Sequence, residues 1–133
     1  MSLYPVVIHL PLKDYEVPDL RESIGWDRHD QYFPELLHRT IFWAGVRNEV
    51  GRLIGFGYIT GPGMPHGYME DIIVHPEFQN KGIGKSLVQR LLEEANTRKI
   101  GIITVSFDPR NGDFYERCGF LTSGGGLWTR SDH

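Results

Sequence analysis

The chain has 133 residues, 40% of them apolar, and 14 Lys and Arg against 17 Asp and Glu give a net charge of −3. That length suits one compact domain, 1–133, with a real core and leaves no room for a second. An acidic chain without a basic run speaks against nucleic acid or an anionic membrane surface as partner. No stretch approaches the ~18 continuous apolar residues of a membrane span. The lone Cys118 excludes an internal disulfide and suits a reducing cytoplasm. The N-terminus has neither the basic region nor the long apolar core of a signal peptide. None of the six histidines pairs at zinc-ligand spacing, so no metal is expected.

Residues 6–10 read as a short first strand. Helices follow over 18–26, with Pro18 in the first turn and Gly25 as the stop, and over 34–39. The β-rich runs 40–46 and 52–60 flank an Asn/Gly turn, NEVG, and predict a hairpin. Three glycines and two prolines make 61-GPGMPHG-67 a loop. The run 68-YMEDIIV-74 is a strand stopped by Pro76. Ile83, Leu87, Val88, Leu91, Leu92 and Ala95 then share one helical face, and the helix ends near Arg98. Residues 100–107 supply a buried strand. Residues 111–118 form a short helix, with Asn111 as cap and Gly119 as left-handed stop. Two weak strands, near Phe120–Leu121 and Leu127–Thr129, complete the order β-α-α-β-β-β-α-β-α-β-β. This is a mixed α/β sheet with one βαβ crossover at its centre.

Glycines at that crossover, in 79-QNKGIGKS-86, suggest a phosphate on a helix N-terminus. A nucleotide-triphosphate loop would need glycine where Gln79 stands. A dinucleotide fingerprint starting at Gly82 would need glycine at Leu87. The pattern QxxGxG fits, through Gln79, Gly82 and Gly84: the glycines let backbone amides approach a pyrophosphate without an intervening Cβ.

The blocks IIVHPEFQNKGIGKSLVQRLLEEA and NGDFYERCGF together resemble the GNAT family of acyl-CoA-dependent N-acetyltransferases over Tyr68–Phe120. The resemblance implies an α+β fold with a twisted, mostly antiparallel sheet. It implies acetyl-CoA as acyl donor and direct attack by a primary amine, with a small molecule as the expected acceptor. Backbone amides from Gln79 through Asn80, Lys81, Gly82, Ile83, Gly84 and Lys85 would hold the pyrophosphate. Ile72, Ile73 and Val74 would pair with the pantetheine arm, an amide near Ile72 donating to the thioester oxygen. Asn111, Phe114 and Tyr115 would complete the coenzyme side, with Tyr115 protonating the leaving thiolate.

Glu70 matches the position of the family's base. Strand alternation sends it to the face of Tyr68, Ile72 and Val74, and sends Asp71 to that of Met69 and Ile73. Asp71 would recognise the amine or brace the strand, and a water remains an alternative base. Trp26, Tyr32, Phe33 and Trp128 are candidates for the acceptor side. A protein or peptide amine, or a non-catalytic acyl-CoA-binding module, are the rival readings. A homodimer built on the glycine-rich C-terminal edge stays open.

Overall fold

The structure, a computed structural model, describes residues 4–131; the first three residues and His133, both used in the sequence reading, lie outside the described residues. Five strands form one sheet in sequential order: β1 (Val6–Ile8), β2 (Phe42–Arg47), β3 (Leu53–Thr60), β4 (His66–Val74) and β5 (Ile102–Val105). The first four run antiparallel and β5 lies parallel to β4. The NEVG turn closes the β2–β3 hairpin because Asn48 Oδ1 accepts from the amides of Val50 and Arg52, while Gly51 takes φ +86°.

Helices α1 (Glu16–Ser23) and α2 (Glu35–Arg39) cover one sheet face, and α3 (Ile83–Thr97) covers the other as the crossover between β4 and β5. The α3 face read from the sequence packs as expected: Ile83, Leu87, Val88, Leu91 and Ala95 are buried and Leu92 is half-buried. Fully burying an aliphatic side chain of this kind stabilises by about 1.5–3 kcal/mol, so this face anchors the helix to the sheet. Across the sheet, Val17, Leu20, Phe33 and Leu37 meet Phe56, Tyr58 and Ile73. After β5, α4 (Gly112–Arg117) ends at Gly119, whose φ of +101° is the left-handed stop expected there.

Five sequence expectations need correction. The loop read over 61–67 ends at Pro65: His66 and Gly67 already pair with Ile102 and Ile103 and begin β4, because a glycine next to a partner strand keeps its ladder bonds. The two C-terminal strands are absent: residues 120–130 are irregular, and Leu121, Leu127 and Trp128 are 99%, 90% and 82% exposed. A β-prone triplet makes a strand only against a partner, and among the described residues β5 pairs with β4 alone. The strand read over 100–107 is consequently a shorter edge strand, half-exposed rather than buried, with Ile102 58% exposed, and the βαβ crossover lies at the edge of the sheet and not at its centre. Asn111 stands at the start of α4 without a side-chain cap bond; instead Asp108 caps the preceding 3-10 turn by accepting from the Arg110 amide.

The last correction matters most. The β3–β4 register passes from Tyr58 opposite Glu70 to Phe56 opposite Ile73, so Gly57 faces both Asp71 and Ile72. This β-bulge puts Asp71 at φ +52° and breaks strict alternation. Met69 therefore joins the α3 core while Ile73 joins the α1 and α2 core, though alternation put both on one face. Gly57 leaves room here: a Cβ on it would stand 2.5 Å from Ile72 Cδ1 and 3.1 Å from Leu91 Cδ1, so the tips of those two side chains would have to move.

Candidate active site

The parallel β4–β5 ladder ends at Met69 opposite Val105, yet β4 continues to Val74. The β5-facing edge of residues 70–74 is thus left without a neighbouring strand. A cavity of about 420 Å³ opens beside it, lined by Ile72 and Val74 from β4, by Phe78 to Asn80 and Gly82 to Lys85 on the way into α3, and by Asn111, Phe114, Tyr115, Arg117 and Cys118. A strand edge with unpaired amides and carbonyls is the surface on which an extended amide-containing chain can dock.

The loop into α3 is held open by local bonds. Gln79 Nε2 donates to the Val74 carbonyl at 3.0 Å, which ties the loop to the end of β4 and gives this glutamine a structural task. His75 Nδ1 accepts from the Glu77 amide and closes the turn at Pro76. Asn80 and Gly82 both take left-handed backbone, φ +63° and +81°, and Gly82 sits at the N-cap of α3. The first-turn amides of a helix have no intrahelical acceptor and carry the positive end of its dipole. No acidic side chain occupies the first turn of α3, and no cap side chain accepts from it. Open space surrounds the Cβ position of Gly82. A pyrophosphate fits this cradle on charge, on hydrogen-bond polarity and on room.

Tyr115 stands on α4 with its ring stacked on Phe107, at 4.8 Å and 24°, and edge-on to Phe114 and Phe120. Burial, reinforced by Cys118 and Glu70, pushes its phenol up to about 12, so it is a proton donor at neutral pH. Burial likewise pushes the Cys118 thiol up, which keeps it uncharged and suits a packing role. The Glu70 side chain reaches solvent, but the walls around it desolvate the carboxyl and the Asp71 carboxylate lies next to it. Burial first and Asp71 second push it above the ordinary carboxylate range. Tyr58, directly opposite on β3, is pushed up by burial and then by Asp71 and Glu70.

The structure brings together most of the coenzyme-side residues expected from the sequence: Ile72, Val74, Gln79, Asn80, Gly82, Ile83, Gly84, Lys85, Asn111, Phe114 and Tyr115. Lys81 is exposed outside that lining, and the Ile73 side chain turns into the opposite core, leaving only its backbone for a ligand. Asp71 is engaged elsewhere, its Oδ2 2.6 Å from Arg21 Nη1. The bulge therefore separates the two carboxylates by occupation rather than by strand face. On the acceptor side Trp26 and Tyr32 are each 42% exposed, Phe33 is core, and Trp128 lies on the exposed C-terminal segment. Phe78, Arg117 and Cys118 were not expected in this lining. Arg117 follows Phe114 by three residues, the spacing that puts two side chains on one helix face.

The sequence profile described as the Acetyltransferase (GNAT) family matches residues 6–120. The chain is similar to an uncharacterized N-acetyltransferase, ycf52, of Gracilaria tenuistipitata var. liui: 28% identical over 117 residues, covering 85% of this chain and 64% of that protein. It is 30% identical over 117 residues to the protein named histone acetyltransferase TAP1 of Glycine max, covering 80% and 51% of the two chains. The chain thus spans less than two thirds of the length of these relatives. In three dimensions it resembles the GNAT family N-acetyltransferase YhbS of Escherichia coli, solved in complex with CoA, with a TM-score of 0.75 at 18% identity over 91% of this chain and 71% of that one. With a family profile covering nearly its whole length and a fold shared with a solved member, the chain belongs to the acetyltransferase (GNAT) family.

Proposed function

We propose that this chain is an N-acetyltransferase that takes the acetyl group of acetyl-CoA and passes it to the primary amine of a small molecule. The observation that carries the reading is the unpaired β4 edge over residues 70–74, opening into a cavity with a free helix N-terminus at one end and the Tyr115 phenol in its lining. Acetyl-CoA supplies the acetyl group already activated as a thioester.

The amides at the start of α3 bind its pyrophosphate, and the backbone of Ile72 to Val74 orients the pantetheine arm. The Ile72 amide, just past the bulge, donates to the thioester oxygen as negative charge gathers there. Glu70 takes the amine proton; its raised carboxyl is a stronger base than an ordinary glutamate. The nitrogen forms its bond to the carbonyl carbon, the C–S bond breaks, and Tyr115 gives its proton to the departing sulfur.

Trp26 and Tyr32, each 42% exposed, offer the acceptor side flat apolar surface. The single guanidinium of Arg28 meets three carboxylates, Asp19, Glu22 and Asp30, so this side keeps a net negative charge that suits an amine arriving as a cation. The test is release of free CoA thiol from acetyl-CoA across a panel of small primary amines and lysine peptides. Turnover only with peptides would move the acceptor class to proteins. Binding of CoA without turnover on any amine would favour a regulatory module.

A further inference from the structure

Arg21 is charged and only 7% exposed, and three contacts hold it. Its Nη1 meets Asp71 Oδ2 at 2.6 Å, its Nε donates to the Asp27 carbonyl at 2.7 Å, and its guanidinium lies over the Trp26 ring at 5.2 Å. The backbone follows the same centre: the Arg21 carbonyl accepts from the amides of Ile24 and Trp26, so residues 24–27 wrap around this side chain. Asp71, its partner, is the one β4 residue with positive φ, and Ile72, the proposed thioester donor, follows it directly. One side chain thus joins the loop carrying Trp26, on the acceptor side, to the apex of the bulge that aims the Ile72 amide.

We propose that Arg21 is a positioning residue: it clamps Asp71 at the bulge so that the Ile72 amide points at the thioester oxygen, and its charge offsets that of Asp71 beside Glu70. The proposal rests on the acetyl-transfer reading above. A planar guanidinium can serve all three contacts at once; a lysine ammonium has the charge but neither the fork nor the flat face. The groups facing Glu70 are Tyr58 from β3, Asp71 next to it, the Tyr115 phenol from α4, and Arg21 from α1 through Asp71. Of these, only Arg21 carries positive charge. With the clamp removed, Asp71 stands uncompensated and the Glu70 carboxyl rises further.

NMR on the full chain reads both effects without requiring turnover. The first readout is the Ile72 amide proton on adding acetyl-CoA compared with CoA, which lacks the thioester carbonyl. The second is the ¹³C titration of the Glu70 carboxyl, assigned with Glu70→Gln. In the unsubstituted protein, acetyl-CoA should move the Ile72 proton downfield of its position with CoA. Arg21→Met should abolish that difference while both ligands still bind the α3 loop, and should raise the Glu70 midpoint by about one pH unit. Arg21→Lys should return the Glu70 midpoint toward its starting value but recover only part of the Ile72 response. If Arg21→Met does not fold, Arg21→Lys alone decides. An Ile72 response as large in the folded Arg21 variants as in the unsubstituted protein would overturn the clamp and leave acetyl transfer standing. No acetyl-specific response in the unsubstituted protein would remove Ile72 from the site, and the proposal with it.

Discussion

Tyr115 has two tasks that one oxygen atom separates. Its ring fills the space among Phe107, Phe114 and Phe120, and its hydroxyl serves the proposed chemistry. Tyr115→Phe keeps the packing, so melting temperature and CoA affinity should hold while kcat and kcat/KM fall together by about 10²–10⁴-fold. Stopped-flow thiol release under conditions where chemistry limits the rate would show it; full turnover would remove the phenol from the mechanism. Glu70 offers a second test, through stability. Its folded-state carboxyl is raised, so between the unfolded and folded values the native state holds more protons than the unfolded one. Stability is therefore lost as pH rises through that window. Glu70→Gln should melt higher than the parent at neutral pH and equal to it at low pH, while losing activity. Calorimetric melts at several pH values would check this, and a variant less stable at neutral pH would contradict the raised carboxyl. The sequence made both residues legible because their neighbours form a recognisable pattern. It did not reveal that Asp71 belongs to Arg21, a partner 50 positions away that leaves no local trace.

At the scale of an element, the start of α3 makes different demands on its two glycines. Gly82 has open space around its Cβ position but a φ of +81°, so Gly82→Ala meets backbone strain of roughly 1–2 kcal/mol and no clash. Gly84 lies inside the helix, where a Cβ would come 3.4 Å from Phe114 Cζ and a valine would press harder against that ring. Both Gly82→Val and Gly84→Val should lose stabilisation by CoA before they lose the fold. A thermal-shift titration measures this, and normal shifts in both would place the pyrophosphate elsewhere. Helix α3 itself was readable to within a residue or two, since fifteen residues show four turns of periodic apolar spacing. Strand β4 was readable from Tyr68 onward, but neither its first two residues, His66 and Gly67, nor its orientation was. Alternation assumes one residue per pleat, and nothing in YMEDIIV marks the extra one.

For the whole molecule, ligand and fold are linked. Acetyl-CoA that binds only the native state, at ~100 times its Kd, should add about 2.7 kcal/mol to stability. Denaturant melts with and without ligand would measure it, and no gain in well-folded protein would defeat the coenzyme assignment. The C-terminal segment sits at the other extreme. The sequence suggested two strands there because composition records β-preference and is silent on partners. Cutting the chain after Thr122 removes residues that are exposed wherever the structure describes them and bury no core, so melting temperature should stay unchanged; a fall would mean that this segment packs. The bulge, finally, works as a frameshift does in a coding sequence. The half of β4 before Asp71 and the half after it are read in different phases, and each phase supplies a different core, Met69 to one and Ile73 to the other. Deleting one residue at the apex would restore a regular ladder and turn one whole half-strand inside out. The irregularity beside the proposed chemistry is thus locked in by the two hydrophobic layers, and no single substitution can smooth it away.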